Sequence, residues 1–414
     1  CRRRWCQSAP VIEGTHKFWA AQPAPGEKDK WLVAAANAAE ELAHDVLERD
    51  AANKEPFTEV ELLRKYELTN LIIPAEFGGG GATFSTAFEV VRTIAQVDGS
   101  IAQLLAYHYI NVSAVAQIAD EENAARLLRK ISAEKAVVGD AVNPTDPNLT
   151  IRHDNGSLFV NGTKRFATGS GVGNYILIVG AVANGPDSEK ALAVLLEREQ
   201  QGVKLHGDWD ALGQRLSSSG SVTFDNVPVR EEQIVGFQTD QAWHSLIAPV
   251  IQQAFVNFYI GVAEGALLQA KEIINNRNSS WFLAKAERYD QDHIFQRLTG
   301  ELVARTKAAS ALARQVNVIL DGFLSKGTAL THEDRAELEI AVAEAKVVAS
   351  DVATDVTHRV FEFTGSSSAR REVGLDLHWL NVRTHSLHDP VDYKKIEVGA
   401  FFLRGELQPV TLYT

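Results

Sequence analysis

Thr150-Ile-Arg-His153, Ser157-Leu-Phe-Val160, Tyr175-Ile-Leu-Ile-Val179, Ala191-Leu-Ala-Val-Leu-Leu196 and Ser221-Val-Thr-Phe224 make up one β-rich passage, and its reading decides the fold. The runs are short and rich in β-branched and aromatic residues, which suit a pleated, half-buried surface. Asn143-Pro144, Asp154-Asn155-Gly156, Asn161-Gly162 and Asn184-Gly185 separate them as turns. No helix-length pattern lies between the runs. The passage therefore predicts a small antiparallel β-barrel domain over residues 136–235, not alternating βαβ units.

On either side the pattern is helical. Trp31-Leu32, Ala35-Ala36, Ala39, Leu42-Ala43 and Val46-Leu47 recur at helical spacing. A short helix is expected over 59–66, with Thr58 and Glu61 forming a capping box. Residues 84–131 divide into three helical segments, broken near Asp98-Gly99-Ser100 and Ala119-Asp120. After Gln241, segments 242–276, 292–325 and 332–363 predict antiparallel helices of a four-helix bundle. Residues 1–27, with Pro10, Pro23 and Pro25, are expected as a tail. The domain expectation is therefore an α+β chain: tail 1–27, helical domain 28–135, β domain 136–235, helical bundle 236–414. Gly78-Gly79-Gly80-Gly81 invites a phosphate-cradle reading, yet it lacks GxxxxGK[ST] or GxGxxG context and is expected as a loop.

The chain of 414 residues is too long for one compact core, and its 45% hydrophobic content is enough for a substantial interior. With 41 basic and 53 acidic residues the net charge is -12, which argues against nucleic acid and anionic membrane as main partners. Cys1 and Cys6 are the two cysteines, so no disulfide framework or cysteine metal site is available. No apolar run reaches the about 18 residues that a membrane span needs. The basic start, Cys1-Arg-Arg-Arg-Trp-Cys6, is not followed by a long apolar stretch. A cytoplasmic protein is expected.

The chemistry concentrates near the C-terminus, in Asn381-Val-Arg-Thr-His385-Ser-Leu-His388-Asp389-Pro390. Histidine takes and returns protons near neutral pH, and two spaced three apart share a side if the segment is helical. Asp389-Pro390 marks a helix end, because the residue before proline avoids the helical region. Composition alone leaves two readings open: an acid/base site, or a helix terminus whose histidines satisfy carbonyls.

The α–β–α order resembles the acyl-CoA dehydrogenase superfamily, as do Pro74-x-x-Phe77-Gly78-Gly79, Asn161-Gly-Thr-Lys164-x-Phe166 and Phe224-x-Asn226-Val227-x-Val229. Within it, the segment 381–390 is most similar to the reduced-flavin monooxygenase branch that includes the dibenzothiophene monooxygenases. Ala106-Tyr107-His108, Asp208-Trp209-x-Ala211-x-Gly213 and Glu333-Asp334-Arg335-x-Glu337-Leu338 also fit that branch. The resemblance spans roughly residues 30 to 405 and implies a flavin between the β domain and the bundle, in a homotetramer. It implies the oxygenase component of a two-component system: reduced FMN, with FAD as the alternative, arrives from a separate reductase. Dioxygen then oxygenates a small apolar sulfur-containing or aromatic substrate through a flavin C4a-hydroperoxide. The absence of a nicotinamide-type GxGxxG agrees with external reduction.

Catalysis is assigned through this resemblance to His388, with His385 orienting it, and to Tyr107 as a hydroxyl donor. His108 is expected to pack or cap. Cofactor contacts are assigned to Phe166 and Thr168, expected on one face of a strand, and to Trp209, Ser217, Ser219 and Asp140. Arg277 is expected on the flavin phosphate, commonly that of a neighbouring subunit. Gln103 stands where the branch has a histidine, and Asp140 where it has an asparagine. Two other functions are weighed. An acyl-CoA dehydrogenase with FAD would need a carboxylate base, for which Glu264 is the candidate. A metal site on His385, His388 and Asp389 would lack an identified further ligand, so no metal is assigned.

Overall fold

The computed structural model describes residues 16–144, 146, 149–154, 156–277 and 280–414. Cys1 and Cys6, Pro10 and the turn residue Asn155 lie outside them. The N-terminal helices are α1 (Glu27–Ala43), α2 (Val46–Ala52), α3 (Phe57–Lys65), α4 (Phe84–Ala95), α5 (Gly99–Ile118) and α6 (Glu121–Ala133). The two breaks read in the sequence are capping sites. The Asp98 carboxylate accepts from the Ile101 amide at 3.0 Å and that of Asp120 from the Asn123 amide at 2.9 Å, each satisfying a first-turn donor. The expected Thr58–Glu61 box does not form. Pro56 occupies the capping position, Thr58 falls inside the first turn of α3, and Glu61 pairs with Arg64. Phe18 and Trp19, within the stretch expected as a tail, are buried, and the Trp19 indole donates to the Ile72 carbonyl at 2.8 Å.

The glycine run packs. A Cβ on Gly79 would stand 2.1 Å from the Ile73 carbonyl oxygen, and one on Gly80 would stand 2.4 Å from the Trp31 ring. The amides of Gly79, Gly80 and Gly81 donate to Pro74, Asn70 and Ile73 carbonyls, so they do not form a phosphate cradle.

The middle of the chain forms β1 (Val138–Ala141), β2 (Leu149–Asp154), β3 (Ser157–Lys164), β4 (Tyr175–Val182), β5 (Ala191–Glu197), β6 (Val203–Leu205), β7 (Val222–Val229) and β8 (Ile234–Phe237). They form one sheet in the order β6-β7-β3-β2-β4-β5-β8, with β1 beside β4. The expected antiparallel barrel is corrected in two respects. β1 and β2 pair with β4 in parallel, and the sheet is open. Closure would need the two edge strands to pair. Instead β6 is three residues long, and the Asn123 side chain of α6 donates to the Ile234 and Val235 carbonyls of edge strand β8, both at 2.8 Å. Along β4 the side chains alternate. Ile176 and Ile178 fill the sheet's own core, while Tyr175 and Leu177 join the helical core.

The rest is helical: α7 (Ala242–Ser245), α8 (Ile247–Asn275), α9 (His293–Leu324), α10 (His332–Thr364), α11 (Asp376–His385) and α12 (Val391–Arg404). α8 packs against α4, α5, α9 and α10, and α12 lies on α10. By length and mean hydropathy (1.5) the stretch Ala242–Asn275 would suffice to cross a membrane, but 94% of its most apolar window is buried inside the protein. It is a core helix, and its polar Gln253 and Asn257 bond Asn317 of α9 at 2.6 and 2.8 Å. Substituting Gly79→Ala forces a methyl against backbone. The expected loss is about 1–3 kcal/mol of unfolding free energy in a urea titration.

Candidate active site

A cavity of about 870 Å³ lies where the sheet meets α5, α11 and α12. α5 presents Gln103, Tyr107 and Asn111 to it, spaced four apart and so on one face. β1 contributes Asp140, and the connection between β6 and β7 closes another wall through Trp209, Gln214 and Ser219. His385, His388 and Asp389 come from the end of α11 and the turn beyond it. Ile110, Ala114, Ile118, Leu177, Val179 and Ile251 make the rest of this wall largely apolar.

Phe166 and Thr168 both line the cavity, though not as strand neighbours. β3 ends at Lys164, Phe166 takes a left-handed backbone (φ 58°), and Thr168 begins a turn. Strand alternation does not apply there; the turn aims both side chains. The Phe166 ring meets Trp209 edge-on at 6.2 Å. Behind them runs a ladder of hydroxyls: Thr168 Oγ1 to Ser219 Oγ at 2.9 Å, and Ser219 Oγ to Ser217 Oγ at 2.7 Å. Ser217 Oγ donates on to the Gln214 carbonyl at 2.8 Å, which also accepts from the Trp209 indole at 2.7 Å. Ser217 is therefore a fully buried support and does not itself face the cavity. The Gln214 amide donates to Asn381 Oδ1 at 2.7 Å, tying this wall to α11. Gly213 permits the approach, since a Cβ there would meet the Leu380 carbonyl at 2.2 Å.

The two imidazoles stack, with ring centroids 5.9 Å apart and 11° between planes. His385 is 4% exposed; its Nδ1 lies 2.9 Å from the Tyr259 hydroxyl, and Phe255 meets its ring edge-on at 4.5 Å. Its Nε2 is buried without a protein partner, on a residue that lines the cavity. Burial, then the proximity of His388 and Lys346, hold its pKa well below the usual value, so the ring is neutral. His388 is more open and places Nδ1 3.2 Å from Asp389 Oδ1.

That carboxylate also accepts from Lys346 Nζ at 3.2 Å. Lys346, on α10, is fully buried; it donates to Gln252 Oε1 at 2.8 Å and sits over the Phe255 ring at 4.7 Å. Burial pushes the Asp389 carboxyl up, but Lys346 and His388 outweigh it and leave the group well below the usual carboxylate range. Sequence reasoning missed Lys346. The available signal was a cation on the helical face shared by Leu338, Val342, Ala345 and Ala349, all buried, a face that also carries buried Arg335.

Tyr107 stacks on Phe255 at 5.7 Å. Burial, then Asp140 and Asp389, raise its pKa well above the ordinary phenol value, so it stays a hydroxyl donor. Asp140 is buried, and no salt bridge to it forms among the described residues. Burial pushes its carboxyl up to about 7, with Asn111 partly offsetting this. Gln103 leaves Oε1 buried and unpartnered. His108 is structural: Nε2 bonds the Thr69 carbonyl at 2.6 Å and Nδ1 accepts from the Val138 amide at 3.1 Å. Two other candidates, Arg277 for a neighbouring subunit's flavin phosphate and Glu264 for acyl-CoA oxidation, do not line this cavity. Arg277 is held by the Thr364 carbonyl and Ser367 Oγ, with its guanidinium 4.6 Å over Tyr289. Glu264 turns to α4, where Arg92 binds it at 2.6 Å and Gln96 at 3.1 Å. Among the described residues no group of three His, Cys, Asp or Glu side chains is arranged to hold a metal ion.

Family models for the acyl-CoA dehydrogenase N-terminal, middle and C-terminal domains match residues 32–135, 132–227 and 253–393 in that order. A dibenzothiophene monooxygenase of Mycolicibacterium goodii is 34% identical over 383 residues, covering 89% of this chain and 92% of that protein. A probable FMNH2-dependent monooxygenase of Pseudomonas putida is 30% identical, with 92% and 97% covered. The structure of FMN-bound TdsC from Paenibacillus sp. A11-2 superposes with a TM-score of 0.89 at 32% identity, covering 93% of this chain and all of that one. The chain belongs to the acyl-CoA dehydrogenase superfamily, in its branch of reduced-flavin-dependent monooxygenases.

Asp140 gives a test of the site's electrostatics. Its carboxyl binds a proton more tightly in the folded protein (about 7) than at its ordinary value of 3.8, so it costs stability increasingly as pH rises between those values. Asp140→Asn removes that cost. Its melting temperature is expected to match the parent's near pH 4 and exceed it at pH 8, with a gain bounded at about 4 kcal/mol.

Proposed function

We propose that this protein is the oxygenase component of a two-component system, taking reduced FMN from a separate reductase and oxygenating a small apolar aromatic or sulfur-containing substrate. One observation carries the reading. The cavity wall presents an imidazole pair, while Glu264, the carboxylate that acyl-CoA oxidation would need, is paired with Arg92 away from it. The relatives agree: TdsC has been solved with FMN and indole together, and the P. putida protein is described as FMNH2-dependent.

The residues present fit a flavin. Thr168 and Ser219 offer hydroxyls to the polar edge of the ring system, Phe166 and Trp209 offer aromatic surface, and the unpartnered His385 Nε2 needs a ligand. Bound there, reduced FMN supplies the electrons that activate dioxygen. The apolar wall excludes water from the reacting atoms. Tyr107 donates its hydroxyl proton as a hydrogen bond, and His388, anchored through Nδ1 to Asp389, accepts a proton at Nε2 and returns it. His385 stays neutral and orients the stack.

Arg277 serves the flavin phosphate of a neighbouring subunit in this proposal, which requires a homo-oligomer, a homotetramer by family likeness. Exposed Trp281, Phe282 and Leu283 near Arg277, and Phe402 and Leu403 on α12, support association, because monomers rarely display such apolar clusters. A cytoplasmic location completes the proposal.

Oxygen uptake with photoreduced FMN, across thiophenes, indoles and sulfones under ¹⁸O₂, tests the function by mass spectrometry. One labelled oxygen in a product is expected; flavin bleaching by butyryl- or longer-chain acyl-CoA would overturn it. In His388→Gln, product formation is expected to fall by about 10²–10⁴-fold. FMN affinity should stay within a few fold, and oxygen consumption should continue with release of hydrogen peroxide.

A further inference from the structure

The cavity holds a catalytic candidate whose geometry depends on a residue outside the cavity. Lys346 does not line it, yet Lys346 is the cation within reach of Asp389, and Asp389 is the acceptor for His388 Nδ1. We propose that Lys346 is a positioning residue that clamps the Asp389 carboxylate, so that His388 keeps its proton on Nδ1 and offers Nε2 to the reacting atoms. This rests on the monooxygenase reading and adds a residue to it.

Three observations bear on the assignment. First, an imidazole with a carboxylate on one nitrogen places its proton there, and the other nitrogen becomes the acceptor. Second, a carboxylate buried to 7% exposure persists in that role only with a fixed counter-charge; the Lys346 ammonium, wholly buried, supplies it at 3.2 Å. Third, the ammonium is itself immobile. Gln252 Oε1 accepts from it at 2.8 Å, and the Phe255 and Tyr259 rings face it at 4.7 and 5.4 Å. Phe255 also meets the His385 ring at 4.5 Å and the His388 ring at 4.9 Å. The same aromatic side chain thus packs against the clamp and both imidazoles.

A surface ion pair would not have this consequence. Here neither partner can turn to water, so losing the ammonium leaves the carboxylate to take a proton or swing away. Either change frees His388 to exchange tautomers. The wrong tautomer would present an N–H where an acceptor is required, which lowers turnover and leaves the cavity's shape intact.

The test compares Lys346→Met, Asp389→Asn and the double variant in the full-length protein. Long-range ¹H–¹⁵N spectra of flavin-free, [¹⁵N]histidine-labelled protein, with the His388 signals assigned by loss in His388→Gln, report the tautomer directly. The parent is expected to show the His388 proton on Nδ1, and both single variants a mixture of the two tautomers. In turnover, each single variant is expected to lose about 10- to 100-fold in kcat, and the double variant no more than either, because the two residues act through one bond. FMN affinity should stay within threefold throughout.

The double variant removes both charges, so it keeps the test informative should Lys346→Met fold poorly. A His388 tautomer unchanged by Lys346→Met, losses that multiply in the double variant, or losses that track weakened FMN binding would each overturn the proposal. The spectra do not depend on any substrate. A parent with the predicted tautomer but without oxygenase activity would therefore refute the functional reading alone.

Discussion

The site depends on one buried charge pair, Lys346 with Asp389, 3.2 Å apart and almost without contact to water. Such a pair contributes little net stability, because desolvation offsets most of the attraction, but it is costly to break from one side. Its value is directional. The carboxylate is held where one oxygen can face the His388 ring, and that ring lies parallel to the neutral His385. Tyr259, bonded to His385 Nδ1, fixes the second ring from α8. Helices α8, α10 and α11 each supply one element of this arrangement, so none of them forms it alone.

Several of the buried polar atoms without a protein partner belong to residues of the cavity wall. His385 Nε2 and the Gln103 amide oxygen are buried, belong to cavity-lining residues and lack protein partners. A folded core seldom tolerates such atoms, and a ligand-binding cavity is where they are expected. Glu264 makes the contrast. It lies on the same long helix as Tyr259, yet it faces α4 and is fully engaged there by Arg92 and Gln96.

Much of this was legible in the sequence, and the reason is locality. Helix periodicity, the aspartates that cap α5 and α6, and the short β-rich runs are set by neighbours within a few residues. The histidine pair stood out because its composition is unusual for a loop. What was not legible depends on distant contacts. The parallel pairing of β1 and β2 with β4 joins segments separated by a hairpin and a long connection. The left-handed backbone at Phe166 replaced the expected strand. Lys346 was hidden for the same reason: nothing within ten residues of it reveals that Asp389 will lie opposite.

The carbonyl of Gln214 has a wider consequence. It receives the Trp209 indole and the Ser217 hydroxyl at once, while the amide of the same residue is tied to Asn381. Aromatic wall, hydroxyl ladder and histidine-bearing helix therefore share a single peptide-chain junction. A change that shifts the Gln214 peptide therefore reaches three parts of the cavity wall at once, although they lie on separate segments of the chain.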